Sequence, residues 1–341
     1  MSRVDDVLRA ARALADPSRE EGRAAREAAV RECALSPAMA DHVFALACAR
    51  YTRESVDALT SAARERERVA VVLAATVAVA PLRAVALPWL AGAARVDVRG
   101  SSRQSALVDA VVRAFGVREI TRVGTITSEV DAVVAYGSDE TVAEIDRATP
   151  SARFEGYGHG FGVAWVDLED SGFDAARAVA LDVALHDQRG CLSPRIAFVR
   201  GDAVAFARAL HEAFTALEAS LPRGVVEVGE AASVMQWQGA AAARCAWSRR
   251  GRAHFVGALE TPSFMASPGL RSVLVCPVSS VAEACSVMGR ALAHLTCVGA
   301  TGSLDAWRAT GARVVRAGSM QDPALDGPED PRPPKTRARA L

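Results

Sequence analysis

The chain carries no net charge: lysine plus arginine and aspartate plus glutamate both count 40 in 341 residues. Without an overall field, nothing draws in nucleic acid or an anionic membrane surface, so neither is expected as a partner. Paired cysteines are also missing. The seven cysteines, Cys33, Cys48, Cys191, Cys245, Cys276, Cys285 and Cys297, are odd in number and contain no Cys-x-x-Cys spacing of the kind metal sites use. A reducing, cytoplasmic setting is expected. The N-terminus lacks the basic-then-apolar order of a secretory signal, because Asp5, Asp6, Glu20 and Glu21 precede any long apolar stretch, and no export is expected. Nor is there an uninterrupted hydrophobic run. The most apolar region, Val69 to Val98, contains Arg83, Pro81 and Pro88, which are hard to place mid-bilayer, so no membrane span is expected. A buried strand over 69–79 and a short helix from Pro81 explain the same residues. No internal repeat is present.

What is present is enough apolar content, 50% of the residues, for a full core and for two domains rather than one. Residues 1–66 are rich in Ala, Arg and Glu with apolar positions at helical spacing, and predict a helical N-terminal layer. From Val69 onward short β-branched runs (69–79, 95–98, 130–136, 162–166, 196–199, 273–276 and 314–316) alternate with helical stretches (104–115, 139–147, 173–185, 203–217, 281–293 and 304–310). Strands that alternate with amphipathic helices, without sharp hairpin signals, predict βαβ units and a mostly parallel sheet, hence an α/β fold. Such sheets bind ligands beyond the carboxyl ends of their strands, which singles out the loops after Val79, Val98 and Tyr136. The expected division is a helical layer at 1–66, one α/β block at 67–186, a second at 187–318 and a tail at 319–341. That tail holds Pro323, Pro328, Pro331, Pro333 and Pro334 among charges, and is expected to be flexible or to strap a partner subunit, which leaves a homo-oligomer possible.

The residue with the most chemical potential is Cys191, in the run Leu181-Asp-Val-Ala-Leu-His-Asp-Gln-Arg-Gly-Cys191-Leu-Ser-Pro-Arg195. Gly190 permits close backbone approach, and Pro194 ends any helix before the apolar strand at 196–199. The competing reading is a small buried core residue. Because Cys191 follows the carboxyl end of the 173–185 helix, the helix dipole cannot lower its pKa, and a modestly reactive thiol is expected in the absence of ligands. His186 either helps ionise that thiol or ends the helix as a favourable cation. Gly137-Ser138-Asp139-Glu140-Thr141, after the 130–136 strand, reads as a strand-to-helix turn with Ser138 as N-cap. It is not a Gly-x-Gly-x-x-Gly fingerprint, and Asp139 and Glu140 would repel a pyrophosphate. Arg99, Ser101, Ser102 and Arg103 follow another strand and suit an adenosine ribose or its 2′-phosphate. His159 is either a proton donor to a substrate oxygen or the closure of a glycine-rich loop.

Four stretches, 131–141, Tyr157-Gly-His-Gly160, His186-Asp-Gln-Arg-Gly-Cys191-Leu-Ser-Pro194 and 311–320, together resemble the acyl-CoA reductase branch of the aldehyde dehydrogenase superfamily, the LuxC-like family that supplies fatty aldehyde in bacterial bioluminescence. The resemblance runs from about Val69 to about Asp326. It implies two Rossmann-like α/β domains flanking a tunnel, and a cytoplasmic enzyme that reduces an acyl-CoA or another acyl thioester to the aldehyde through acyl-Cys191, with NADPH or NADH as hydride source. It further implies a cofactor contact at Gly137, Ser138 and Thr141, and at Arg99, where the family carries a ribose-contacting lysine.

Two departures stand out. The second oxyanion donor of the family is an asparagine in a Gly-Asn pair, where this chain has Ala75-Thr76; threonine still donates but is shorter. No carboxylate stands in the run 156–160, where aldehyde-oxidising relatives place the glutamate that activates water, although Glu155 is adjacent. Alternative readings are a scaffold that has lost catalysis and, more remotely, an aldehyde dehydrogenase.

Overall fold

The computed structural model describes residues 2–60, 67–74, 76–102, 105–127, 129–169, 175–327 and 330–337. In chain order it forms α1 (Arg3–Ala15), α2 (Glu20–Glu32), α3 (Pro37–Ala49), α4 (Arg53–Asp57), β1 (Arg68–Val72), α5 (Ala80–Leu90), β2 (Arg95–Arg99), α6 (Ser105–Phe115), β3 (Ile120–Arg122), β4 (Ala132–Tyr136), α7 (Asp139–Ala148) and β5 (Arg153–Tyr157). There follow β6 (Phe161–Asp167), α8 (Ala175–Ala184), β7 (Pro194–Arg200), α9 (Ala203–Leu217), α10 (Val228–Ala242), β8 (Cys245–Arg250), β9 (Phe255–Leu259), β10 (Ser272–Pro277), α11 (Val281–Met288), β11 (Leu295–Ala300), α12 (Asp305–Arg308), β12 (Arg313–Arg316) and β13 (Lys335–Arg337). The described residues gather into two compact units. One is drawn from Met1–His159, Ala324–Pro328 and Pro333–Leu341, the other from Gly160–Pro323 and Glu329–Arg332. The division falls between His159 and Gly160 rather than at residue 186, because β6 takes its ladder partners from β7 and β11 and joins their sheet.

The first unit is a six-stranded sheet in the order β13-β5-β4-β1-β2-β3. β1 to β5 run parallel, and β13 pairs antiparallel with β5, so part of the expected flexible tail is a sheet strand. β1 is a short apolar run with Val69, Ala70 and Val71 at 0% exposure, as expected of a strand covered on both faces. It ends at Val72 instead of Val79. Its partner β2 stops at Arg99, Leu73 N–H takes the last rung from Arg99 O at 2.9 Å, and the following residues turn away with Thr76 exposed. α5 then starts with Pro81 in its first turn, as expected. Above the sheet lies the expected helical layer. α1 opens on a capping box in which Asp5 N–H donates to Ser2 Oγ while Ser2 N–H donates to Asp5 Oδ2. α6 has its first turn served from outside: Ala106 and Leu107 N–H donate to the Glu32 carboxylate at 3.0 Å each. Gln104 and Phe173, the expected first residues of two helices, lie outside the described residues.

The second unit is a seven-stranded sheet in the order β12-β11-β6-β7-β10-β9-β8, parallel except for the antiparallel pair β8 and β9. Alternate residues of β6 feed the two faces. Ala164 and Val166 join a cluster with Val179, Phe206, Leu210 and Phe214, while Val163 and Trp165 join one with Phe198 and Trp307. β8, β9, β11 and α10 escape the sequence pattern because their runs are short or, in α10, apolar on more than one side.

Beneath α9 runs a chain of buried polar groups. His254 Nδ1 lies 2.6 Å from Glu218 Oε1, and its Nε2 lies 2.8 Å from His211 Nδ1. Burial lowers both histidine pKa values below the ordinary 6.5, and the neighbouring ring adds to the effect on His211. A base whose folded pKa is depressed stays neutral in both states above 6.5; below it the unfolded chain takes up protons first, and the folded state loses its advantage. The stability lost in His211→Phe should therefore shrink between pH 7.5 and pH 5.5, as read from urea denaturation at both values.

Candidate active site

α8 stops at Ala184 and passes into a 3-10 turn, Leu185–Gln188, inside which the backbone changes hand: His186, Asp187 and Gln188 have φ of 55°, 51° and 61°. Each such non-glycine residue costs about 1–2 kcal/mol and survives only where its surroundings impose it. Next comes the tight turn Gly190-Cys191-Leu192-Ser193, closed by Ser193 N–H to Gly190 O at 3.2 Å, and then β7. Cys191 is exposed at the tip, which removes the buried-core reading, while Leu192 and Ser193 are buried beside it. Three side chains hold the turn. Thr296 Oγ1 lies 2.6 Å from Cys191 O and 3.0 Å from Phe161 O, so one hydroxyl proton serves two carbonyls. Gln188 Nε2 donates to Pro194 O at 2.6 Å and to Ser272 O at 2.9 Å, and Gln321 Nε2 donates to Ser193 Oγ at 3.1 Å. His186, expected near a helix end, is 3% exposed and belongs to the left-handed stretch.

The electrostatics favour Cys191 over the other thiols. Burial pushes Cys48, Cys245 and Cys276 up to about 11 and Cys297 up to about 12, which leaves them protonated and inert. Cys191 instead has the guanidinium of Arg195 for an electrostatic neighbour. Burial lowers the Arg195 pKa to about 10, and its attraction to Cys191 acts in the opposite sense, to keep the cation charged. Arg195 was invisible as a site residue in the sequence, where it reads as the first turn of a strand. Asp182, on the buried side of α8, accepts Gly318 N–H at 2.6 Å and Met320 N–H at 2.9 Å, yet burial outweighs these donors and pushes its carboxyl up to about 7. Among the described residues no group of His, Cys, Asp and Glu side chains is arranged to hold a metal ion.

The remaining expected site residues all fall in the first unit, at the carboxyl edge of its parallel strands. Thr76 follows β1, Arg99 ends β2 with Ser101 and Ser102 beyond it, Gly137 follows β4, and His159 follows β5. Arg103 and Ala75 lie outside the described residues. Ser138 is the N-cap of α7, taking Thr141 N–H at 3.2 Å, as expected. A Cβ at Gly158 would lie 2.0 Å from Asp139 Oδ1 and would displace that carboxylate, whose same oxygen receives His159 N–H at 3.4 Å. The exposed His159 ring thus sits on a loop closed by hydrogen bonding. Glu155 projects from β5 beside Arg153, with 3.6 Å between their charged atoms. For a dinucleotide, the acidic and already capped start of α7 is a poor phosphate seat. α5 begins at the same edge, but Ala80 and Leu82 N–H already donate to Val77 O and Val79 O at 3.3 Å each and Pro81 has none, so its first turn is no better a seat.

The sequence profile of the acyl-CoA reductase (LuxC) family matches residues 71–330. The chain belongs to that family. Membership and fold together point to an oxidoreductase acting on aldehyde or acyl groups. Solved structures with the same fold are aldehyde dehydrogenase relatives of low identity. A NAD-dependent benzaldehyde dehydrogenase from Corynebacterium glutamicum is 16% identical with a TM-score of 0.73, covering 95% of this chain and 82% of its own. An oxidoreductase from Marinobacter aquaeolei is 12% identical with a TM-score of 0.75, covering 99% and 82%. An NADP-dependent glyceraldehyde-3-phosphate dehydrogenase from Bacillus halodurans is 16% identical with a TM-score of 0.68, covering 92% and 78%. No curated protein matches the chain. No described helix is long and apolar enough to cross a membrane.

In this LuxC-family chain the hold on the cysteine carbonyl generates a first test of the site. Thr296→Val keeps the side-chain shape but strands two carbonyls, and should cost about 1–3 kcal/mol in urea denaturation, with Thr296→Ser recovering most of it.

Proposed function

We propose that the chain reduces an acyl thioester, such as an acyl-CoA, to the aldehyde through acyl-Cys191, drawing on NADPH or NADH. The observation that carries this reading is the contrast among the thiols: Cys191 alone of the seven is exposed, on a turn pinned by Thr296, Gln188 and Gln321 and beside Arg195. A bound nicotinamide would supply the hydride that adds to the acyl carbon. The Cys191 thiolate attacks the thioester carbonyl, the new C–S bond forms, and the CoA thiolate leaves. After reduction the thiohemiacetal collapses, expelling Cys191 as thiolate and releasing the aldehyde, so one sulfur serves as nucleophile and leaving group. Each tetrahedral oxyanion needs donors, and Cys191 N–H is the natural first one, the loss of such a donor typically costing about 3–4 kcal/mol. Thr76 is proposed as the second.

Arg99, Ser101 and Ser102 are proposed to take the adenosine ribose, with the arginine suited to a 2′-phosphate and so to NADPH. Ser138 and Thr141 serve first as the cap of α7, and Gly137 leaves room for the Thr141 side chain, whose nearest atoms would lie 3.3 Å from a Cβ there; all three are proposed to contact the cofactor. His159 is proposed as proton donor to the aldehyde oxygen. No carboxylate stands in the run 156–160 and Glu155 lies beside Arg153, which favours exchange of the acyl group with CoA over hydrolysis to acid.

Mass spectrometry after exposure to acyl-CoA should find one acyl adduct, on Cys191. The adduct should disappear in Cys191→Ser, and with NADPH present the wild-type protein should release aldehyde. Cofactor binding without adduct or turnover would instead mark a scaffold that has lost catalysis.

A further inference from the structure

Two stretches of left-handed backbone face each other below the Cys191 turn. One is His186, Asp187 and Gln188, with φ of 55°, 51° and 61°; the other is Gly269, Leu270 and Arg271, with φ of 116°, 55° and 57°. Five of these six residues are not glycine, so neither stretch would keep this conformation by itself. They are clasped together at every level. Backbone meets backbone where Leu270 N–H donates to Asp187 O at 3.2 Å. Charge meets charge where Arg271 Nε and Nη2 lie 2.9 and 2.7 Å from Asp187 Oδ1, both side chains at 0% exposure. Side chain meets backbone where Gln188 Oε1 accepts Ser272 N–H at 2.9 Å while its Nε2 reaches Ser272 O and Pro194 O.

A third segment completes the grip. Arg271 Nη1 donates to Leu221 O at 2.8 Å, and Gly224 N–H donates to Asp187 Oδ2 at 2.9 Å, so both oxygens of the carboxylate are engaged. Gln188 is three residues before Cys191 and Pro194 three after it. The bond from the Gln188 side chain to Pro194 O therefore closes the base of the loop that carries the thiol. Strain of this kind accumulates at functional sites and persists where surrounding contacts over-determine it.

We propose that the two facing left-handed stretches form a strained cradle that sets the geometry of Cys191, with Asp187, Gln188 and Arg271 as its positioning residues. The cradle rests on the reading of Cys191 as nucleophile, but the test reads the thiol itself. Iodoacetamide alkylation of Cys191 is followed by peptide mass spectrometry from about pH 6 to pH 10, a range spanning the ordinary thiol pKa. Gln188→Met removes the ties to Pro194 and Ser272. Asp187→Leu combined with Arg271→Met removes the buried pair without leaving a lone charge. Arg271→Lys keeps the charge pair but cannot span both Asp187 and Leu221, and is the variant most certain to fold.

Each folded variant should alkylate Cys191 at least about tenfold more slowly near neutral pH, with a displaced pH profile and Arg271→Lys intermediate, as a tenfold effect needs only about 1.4 kcal/mol. Asp202→Ala, which removes the cap of α9 elsewhere in the same unit, should alkylate like the wild type. A folded Arg271→Lys with the wild-type rate and profile, or an equal loss in Asp202→Ala, would overturn the proposal. A protein that turns over no thioester, but whose Cys191 slows in the cradle variants, sinks the reductase reading and leaves the cradle standing.

Discussion

The second unit is organised around one pair of charges that water never reaches. Asp187 and Arg271 are each at 0% exposure, and taking them out of water is repaid only because every acceptor on the carboxylate and the Nη1 donor of the guanidinium have partners in Arg271, Gly224 and Leu221. Removing one partner of such a pair typically costs about 3–5 kcal/mol, since the survivor is left charged and unsolvated. Three segments far apart in sequence meet at this point, so the pair fixes the chain path leading into β7 and into β10. The exposed turn that carries the thiol is the outer end of that fixed path.

The contrast between Cys191 and the other thiols follows from the same arrangement. Cys276 and Cys297 point into packed hydrocarbon, where the thiolate has no counter-charge strong enough to offset desolvation, and burial raises them out of the reactive range. The turn lifts Cys191 out of that environment while Arg195, at the first rungs of β7, stays close enough to feel its charge. Helix polarity contributes nothing, as the sequence already implied from the position of α8. The cation comes from four residues downstream instead.

Much of the layout was legible in the sequence. The alternation of apolar runs with amphipathic helices identified an α/β fold, and the helices over 139–147 and 203–217 match α7 and α9 closely because their ends carry strong signals: Ser138 caps α7 and Asp202 caps α9. Four stretches taken together, the one around Cys191 among them, pointed to the family. Other features had no local signature. β1 was overextended because Leu73 to Val79 is apolar enough to read as strand, while the length of β2, which actually ends the ladder, is encoded elsewhere. The left-handed residues before Cys191 are His, Asp and Gln, none of which announces a positive φ as glycine does; only the partners brought by 221–224 and 269–272 impose it. Arg195 likewise gains its meaning from three-dimensional proximity, which spacing alone does not convey.

The cap that Glu32 provides to α6 ties the N-terminal layer into the sheet more firmly than its composition suggests. The first turn of α6 finds acceptors for the N–H groups of Ala106 and Leu107 only on the last residue of α2, 74 positions earlier for the nearer one. Without α2 the start of α6 is left with two unserved N–H groups, so the amino-terminal helices are a structural part of this unit and not a detachable cover.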